Sequence, residues 1–419
     1  MRQMKDSKIE WVGEIPEHWE TRPIYYYFRE RKHKNSLGEE KNLLSLSYGK
    51  VTRKDIATTE GLLPENYNGY NIVEKGDIVL RLTDLQNDKR SLRTGLVNEK
   101  GILTSAYVTL RPIKEECSLY FHYLLHAYDI MKVFYNMGNG VRQGLNFEEL
   151  SKCMLIAPPL SEQKAIAGFL DKKCGEVDAL IADIQQEIET LEQYKRSVIT
   201  EAVTKGLDPS VSMKDSGAGW MQKVPAHWVV HPLYYYFEER KNKNIFAKEK
   251  NLLSLSYGKI IRKDINTNGG LLPENFNAYN IVEPKDIVLR LTDLQNDKRS
   301  LRTGFVNERG IITSAYITLR AKKDILQEYF YYELHVFDLL KGLYNMGRGV
   351  RQGLNFDELS KLKLFEPTIK EQGEIVAYIK EKEKKIDEII TDKQSQIETL
   401  ESYKKSLIYE YVTGKKEVR

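Results

Sequence analysis

The chain has 419 residues, of which 41% are hydrophobic and 30% are charged, and its mean hydropathy is -0.50. This composition is typical of a globular protein with more than one core, and it excludes a disordered or fibrous chain. The net charge of +4 permits nucleic-acid binding but does not require it. There is no apolar run of membrane-spanning length and no signal peptide, so we expect a cytoplasmic protein without a membrane partner.

The chain consists of two tandem copies of one unit. A shift of 209 residues superimposes the sequence on itself without a gap. The 19 residues from Asp77 to Gly95 recur unchanged as Asp286 to Gly304, and the stretch from Gly140 to Phe147 recurs as Gly349 to Phe356. A period of this length indicates a duplicated domain pair rather than a solenoid.

The duplication provides an internal control for candidate sites. Cys117, Cys153 and Cys174 correspond to Leu326, Leu362 and Glu383, so we expect neither a metal site nor catalysis by thiols. The pair His122 and His126 has a spacing that suits a metal, but His122 becomes Tyr331 in the second copy. His18 and His227 do recur in a Pro-x-His-Trp turn, which we interpret as packing around a buried Trp rather than as catalysis.

The first part of each unit predicts a mixed α+β domain. Short apolar runs alternate with Gly, Asn and Pro and read as strands at residues 71–73, 77–82 and 106–110, and residues 118–135 favour a helix. The linker between the units is expected at residues 205–219, which are rich in Gly and Ser.

The second part of each unit predicts one long helix of roughly 60 Å at 1.5 Å per residue. Apolar residues step by four and three along a heptad seam. The seam consists of Leu170, Val177, Ile181, Ile184, Ile188, Leu191 and Val198 in the first copy and of Ile379, Ile386, Ile390, Ile397, Leu400 and Leu407 in the second. We expect the two helices to pack antiparallel, with a globular domain at each end of a dumbbell that has an approximate two-fold axis. The alternative is that each helix folds back onto its own domain.

The sequence lacks a phosphate-binding loop, a nucleophile elbow and a methyltransferase motif, so no catalytic residues are predicted. What recurs is polar loop chemistry suited to DNA, because Gln, Asn and Arg can bind base edges while Lys and Arg can bind phosphates. The predicted DNA-binding residues of the first copy are Arg53, Lys54, Gln86, Asn87, Lys89, Arg90, Arg93, Asn139, Arg142 and Gln143. Those of the second copy are Arg262, Lys263, Gln295, Asn296, Lys298, Arg299, Arg302, Arg348, Arg351 and Gln352.

The order of the motifs resembles the specificity subunits of type I restriction-modification systems. The similar motifs are the opening Trp11 to Glu20, the central Pro158 to Gln163 before a long helix, and the linker Thr204 to Pro209. The resemblance covers essentially the whole chain. It implies a first target-recognition domain at 1–157, a first spacer helix at 158–206, a linker with the second recognition domain at 207–366, and a second spacer helix at 367–419.

The resemblance also implies a function without catalysis. Such a subunit binds double-stranded DNA at a bipartite site and assembles with two methyltransferase subunits and with nuclease-translocase subunits. It binds no cofactor itself, while its partners use S-adenosylmethionine, ATP and Mg. Gln163 and Gln372 are candidates for contact with a partner. Because the two predicted reading loops are identical, we expect the DNA site to be an interrupted palindrome. The alternative function is a coiled-coil scaffold that binds only protein.

Overall fold

A computed structural model describes residues 2–56, 66–85, 92–113, 117–137, 144–265, 276–294, 301–346 and 353–418. The chain divides into two compact units, Met1–Gln185 with Gln394–Arg419, and Gln186–Lys393. The division differs from the predicted domain bounds because it passes through both long helices. Each unit therefore contains one globular α+β part and one half of each helix.

The globular part of the first unit is built on an antiparallel sheet in the order β4-β11-β8-β9. Its strands are β1 Met4–Asp6, β2 Glu14–Pro16, β3 Glu20–Pro23, β4 Phe28–Glu30, β5 Leu44–Ser47, β6 Lys50–Arg53, β7 Asn71–Val73, β8 Ile78–Leu80, β9 Thr94–Leu96, β10 Gly101–Leu103, β11 Val108–Pro112 and β12 Met154–Ala157. Its helices are α1 Ile24–Tyr27, α2 Ser118–Ile130 and α3 Phe147–Leu150, with a 3₁₀ turn at Val133–Asn136. The predicted strands and the predicted helix are all present. Antiparallel pairs β1-β2, β3-β12, β5-β6 and β7-β10 surround the sheet.

The second unit repeats this topology with the same 209-residue offset, and its four-stranded sheet has the order β16-β23-β20-β21. Its strands are β13 Met213–Ala218, β14 Met221–Pro225, β15 Val229–Pro232, β16 Phe237–Glu239, β17 Leu253–Ser256, β18 Lys259–Arg262, β19 Asn280–Val282, β20 Ile287–Leu289, β21 Thr303–Phe305, β22 Gly310–Ile312, β23 Ile317–Ala321 and β24 Lys363–Glu366. The short helices are α5 Leu233–Tyr236, α6 Gln327–Leu339 and α7 Phe356–Leu359, with 3₁₀ turns at Ile245–Ala247 and Gly342–Asn345.

The long helices are α4 Leu160–Lys205, of 46 residues, and α8 Ile369–Val412, of 44 residues. They begin two residues after the predicted starts and end within the predicted ranges. All thirteen predicted seam residues are buried or half-buried, as expected for an apolar stripe that faces a partner. The predicted linker at 205–219 is partly wrong, because β13 occupies Met213–Ala218 and pairs with β14.

The two helices run antiparallel within each unit. In the first unit the rings of Phe169 and Tyr411 lie 4.4 Å apart, and the Asp178 carboxylate accepts a hydrogen bond from Lys404 Nζ at 2.5 Å. Later residues of α4 therefore contact earlier residues of α8. In the second unit Lys393 pairs with Glu187, and Lys195 Nζ donates to Asp387 at 2.6 Å, which gives the same direction. The alternative in which each helix folds onto its own domain alone is excluded.

Both ends of the helix pair are built into the globular cores. Ile166, Ala167 and Leu170 of α4 and Ile408 and Val412 of α8 belong to the core of the first unit. The corresponding faces of the other helix halves, which include Ile199, Val203, Ile375 and Ile379, belong to the core of the second. The helices are therefore part of the fold of each unit rather than a separate layer.

The Pro-x-His-Trp turn fastens the start of each long helix. Trp19 is fully buried, and its indole Nε1 donates to the Glu162 carboxylate at 3.0 Å, which His18 Nε2 also approaches at 2.6 Å. Partial burial opposes ionisation of Glu162, but the bonds from His18, Trp19 and Arg2 outweigh it and lower the pKa of this carboxyl. Trp228, His227 and Glu371 repeat the arrangement. The interpretation of this turn as packing around a buried Trp is confirmed.

We expect the ion pair between Lys195 and Asp387 to help fix the helix register. Lys195→Asp should lower the free energy of unfolding by about 1 kcal/mol, because the pair is only partly exposed. The double variant Lys195→Asp with Asp387→Lys should recover most of the loss, as measured by urea unfolding of the full chain. The matched control is Lys205→Asp, in an exposed pair with Glu201, which should change stability little. A double variant no more stable than Lys195→Asp would contradict the assignment.

Candidate nucleic-acid interface

Six of the twenty predicted DNA-binding residues lie in the described part of the chain. They are Arg53, Lys54 and Arg93 with their counterparts Arg262, Lys263 and Arg302. The others fall in segments 86–91, 138–143, 295–300 and 347–352, outside the described residues. The described residues that flank these segments are in contact with one another in each unit.

The flanks of segments 86–91 and 138–143 are joined by the backbone. The Leu145 amide donates to the Leu82 carbonyl at 2.9 Å, so a residue that follows segment 138–143 lies beside one that precedes segment 86–91. In the second unit the Leu354 amide donates to the Leu291 carbonyl at 3.0 Å. In each unit this bond therefore joins residues that flank two of the predicted DNA-binding segments.

The buried side chain of Arg93 bonds to residues that precede both polar segments. Its side chain is fully buried, and its guanidinium donates to the carbonyls of Arg81 at 3.1 Å, Thr83 at 2.9 Å and Asp84 at 3.2 Å. Its Nε donates to the Tyr135 hydroxyl at 3.1 Å, and Tyr135 lies just before segment 138–143. One side chain thus connects the strand end that precedes the first polar segment to the turn that precedes the second.

Arg302 repeats this arrangement in the second unit. It is fully buried and donates to the carbonyls of Arg290 at 3.2 Å, Thr292 at 2.8 Å and Asp293 at 3.1 Å, and to the Tyr344 hydroxyl at 3.3 Å. The prediction that Arg93 and Arg302 contact DNA is therefore wrong. Both guanidinium groups are turned inward onto carbonyl oxygens and shape the loop instead of reaching a base or phosphate.

Arg53 and Lys54 lie at the end of the β5–β6 hairpin and are exposed, as predicted for DNA contact. Arg53 Nε donates to the Glu99 carboxylate at 2.8 Å, and its hydrogen bonds lower the pKa of Glu99. Arg262 and Glu308 form the same pair, with Nε donating at 2.7 Å. The pairing with Glu99 and Glu308 was not predicted. An acidic residue 46 positions along the chain carries no local signal of it.

Gln163 and Gln372 are buried at the helix starts, so their prediction as contacts for a partner is wrong. Gln163 Nε2 donates to the Pro158 carbonyl at 3.0 Å, and its Oε1 accepts from the Cys117 amide at 3.1 Å. Gln372 Nε2 donates to the Pro367 carbonyl at 3.0 Å. Both amides satisfy backbone groups in the bend that leads into the helix.

The candidate metal and thiol groups are parts of the core. His122 and His126 are half-buried with ring centroids 6.2 Å apart, and burial lowers the pKa of His122 to about 4 and that of His126 to about 3. Burial also raises the pKa of Cys153 and of Cys174 to about 11. Among the described residues, no group of three or more His, Cys, Asp or Glu side chains could hold a metal ion.

We expect Arg93 to support stability and Arg53 to support DNA affinity. Arg93→Met should lower the free energy of unfolding by at least about 2 kcal/mol, because buried carbonyls lose their donors. Arg53→Met should leave stability near that of the wild type, because its side chain is 73% exposed, and should weaken DNA binding. Urea unfolding and fluorescence anisotropy with duplex DNA measure the two effects. Equal stability of both variants would contradict the assignment of Arg93.

We expect His122 to make the first unit sensitive to acid. Its folded-state pKa is depressed, so the unfolded chain takes up the proton first, and stability is lost as pH falls from about 6.5 toward about 4. His122→Tyr, which copies Tyr331, should remove on the order of 2 kcal/mol of this loss. Unfolding measured across this pH range tests the effect. The control is His33→Asn, which copies Asn242 at an exposed position and should leave the pH dependence unchanged.

Comparison with known proteins agrees with these features. Residues 47–190 match the family model described as the type I restriction modification DNA specificity domain. Through the 209-residue repeat, this stretch corresponds to residues 256–399 of the second copy. The matched stretch contains the β5–β6 hairpin tip, both polar segments and Arg93.

Two relatives from Methanocaldococcus jannaschii align along most of the chain. A protein assigned as the MjaX type I restriction enzyme specificity subunit is 24% identical over 97% of this chain and 96% of its own length. The MjaVIII type I restriction enzyme specificity subunit is 25% identical over 90% of this chain and 84% of its own.

A chain from a solved structure of a type I restriction-modification system, studied for complex assembly and conformational transition, has the same fold. Its TM-score is 0.66 at 13% identity, over 95% of this chain and 98% of that chain. The family match, the relatives and the shared fold agree with the order of motifs in both copies. The chain is thus similar to type I restriction-modification specificity subunits along most of its length, and residues 47–190 match their DNA specificity domain.

Proposed function

We propose that this chain recognises an interrupted palindromic DNA site for a type I restriction-modification complex. As a specificity subunit, it provides DNA sequence recognition and is not the enzyme of the system. The observation that carries the proposal is that Asp77 to Gly95 and Asp286 to Gly304 are identical and are held in each unit by the same buried arginine. Two identical readers in two-fold symmetry would bind an inverted repeat, with half-sites roughly one helical turn apart.

The exposed chemistry of each unit suits a DNA duplex. Arg53 and Lys54 provide cations at the edge of the hairpin, and segments 86–91 and 138–143 supply Gln, Asn and Arg side chains that can bind base edges. The described helices contain no span that could cross a membrane. We propose that the chain acts in the cytoplasm, where its DNA target is available.

The proposed assembly contains two methyltransferase subunits, one for each half-site, and nuclease-translocase subunits. Those partners would supply S-adenosylmethionine, ATP and Mg, while this chain binds no cofactor. The two-fold repeat of this chain supports a pair of equivalent docking positions for the methyltransferase.

The test is a single-molecule map of N6-methyladenine in DNA from cells that express this chain with its neighbouring methyltransferase. We expect a split motif whose two halves are inverted copies of each other. The matched variant changes Gln86→Ala in the first copy only. It should alter one half of the motif and leave the other, because Gln295 remains in the second copy. A split asymmetric motif from the unaltered chain would contradict the palindrome.

A further inference from the structure

Each unit carries a tyrosine in an unfavourable backbone conformation at the tip of a hairpin. Tyr48 and Gly49 connect β5 to β6 with φ angles of 46° and 79°, and Tyr257 and Gly258 connect β17 to β18 with 45° and 80°. A two-residue turn with two positive φ angles favours Asn-Gly, whereas a bulky residue at its first position is disfavoured. Both copies have tyrosine at this first position.

The unfavourable conformation is not compensated by burial of the ring. Tyr48 is 85% exposed and Tyr257 is 76% exposed, which places both among the most exposed large apolar side chains of the described residues. By contrast, the neighbouring strand residues Leu44 and Leu46 are buried. A strained residue whose side chain serves no packing is a marker of a functional contact.

The tip is fixed in place by the strand and loop beneath it. A Cβ on Gly49 would lie 3.2 Å from the side chain of Leu92, which directly follows segment 86–91. A Cβ on Gly95 of β9 would lie only 2.5 Å from Leu46 Cδ1 and 2.9 Å from Val51 Cγ2, so the hairpin rests closely on this strand. In the second unit, a Cβ on Gly258 would lie 3.1 Å from the side chain of Leu301. Each hairpin tip therefore lies against the residue that directly follows a segment predicted to bind bases.

The strand that returns from each exposed ring carries cations. Lys50 directly follows the turn, whereas Arg53 and Lys54 lie at the other end of the hairpin, and Lys259, Arg262 and Lys263 have the same positions in the second copy. Lys50 also pairs with Asp178 of α4 at 3.0 Å, which ties the hairpin to the helix. A hairpin with an exposed aromatic ring at its tip and cations along one strand suits a nucleic acid, whose bases offer flat apolar faces between phosphates.

We propose that Tyr48 and Tyr257 are specificity-determining residues whose rings insert at one base step of each DNA half-site. The proposal rests on the proposed function and adds a contact through the base face to the edge contacts of the polar segments. Because the hairpin is already ordered, the ring can insert without the entropy cost of ordering a loop. Insertion unstacks the two neighbouring bases, so the preferred step is one that opens readily, such as a pyrimidine followed by a purine.

The probe is a duplex selected by the full chain from a random-sequence library, in which single adenines are replaced by 2-aminopurine. Failure of the full chain to enrich any sequence would overturn the proposed function itself. Once a duplex is enriched, unstacking by the wild-type chain should raise 2-aminopurine fluorescence at one step in each half-site. The tyrosine proposal is then tested separately by variants.

The decisive variant is the pair Tyr48→Asn with Tyr257→Asn, because Asn suits the left-handed conformation and keeps the hairpin. The melting temperature should stay the same or rise, while Kd for the selected duplex should increase by about 5- to 150-fold for each ring removed and the fluorescence signal should disappear. The salt dependence of binding should keep its slope, because no phosphate contact is removed. Phenylalanine at both positions should retain the affinity and the signal.

The matched control is Tyr25→Asn with Tyr234→Asn, because these tyrosines are 59% and 54% exposed but belong to α1 and α5 rather than to the hairpins. Their replacement should leave Kd unchanged. Wild-type affinity and fluorescence in the Tyr48→Asn and Tyr257→Asn pair would overturn the proposal. Equal loss in the phenylalanine pair would overturn it as well, since the hydroxyl rather than the ring would then make the contact.

Discussion

The buried arginine in each unit is the interaction on which the candidate interface depends. Arg93 crosses from the loop after β8 to the turn after α2, and it neutralises carbonyl oxygens that would otherwise be buried without donors. Asp84, whose carbonyl accepts one of these hydrogen bonds, has a φ of 57°, so the arginine also holds a backbone turn in the left-handed region. The residues from which the polar segments start are thus fixed from within each unit.

Comparison of the two copies shows that core residues differ between them, whereas the predicted DNA-binding loop does not. The second core contains Glu333, Glu366 and Glu383 where the first has Leu124, Ala157 and Cys174. Glu333 is fully buried, which raises the pKa of its carboxyl, and it accepts a hydrogen bond from the Phe365 amide at 2.7 Å. Tyr236 and Tyr332 donate to the other two carboxyls. The cores have thus diverged by adding polar groups that bond to nearby donors, while the loop and its arginine are the same in both.

The sequence alone predicts the elements with regular periodicity and misses the direction of single side chains. The repeat, the strands and the helices were predictable because apolar spacing and a fixed offset are visible along the chain. Arg93 was assigned to DNA because a loop arginine can turn outward or inward, and its partner Tyr135 lies 42 residues away. The strand at Met213–Ala218 is rich in Gly and Ser, which is typical of a linker. It becomes a strand only by pairing with Met221–Pro225, and the composition does not indicate this pairing.

The few differences between the copies limit where the two half-sites could be read differently. On the described hairpins, Val51 and Thr52 are replaced by Ile260 and Ile261. Thr52 and Ile261 are both exposed, directly across from serines of the paired strands. A threonine hydroxyl can bond to a base or phosphate, whereas an isoleucine can only pack against an apolar group such as the thymine methyl. If each copy reads one half-site, as we propose, we therefore expect the exchange of Thr52 for Ile261 to change base preference in one half-site only.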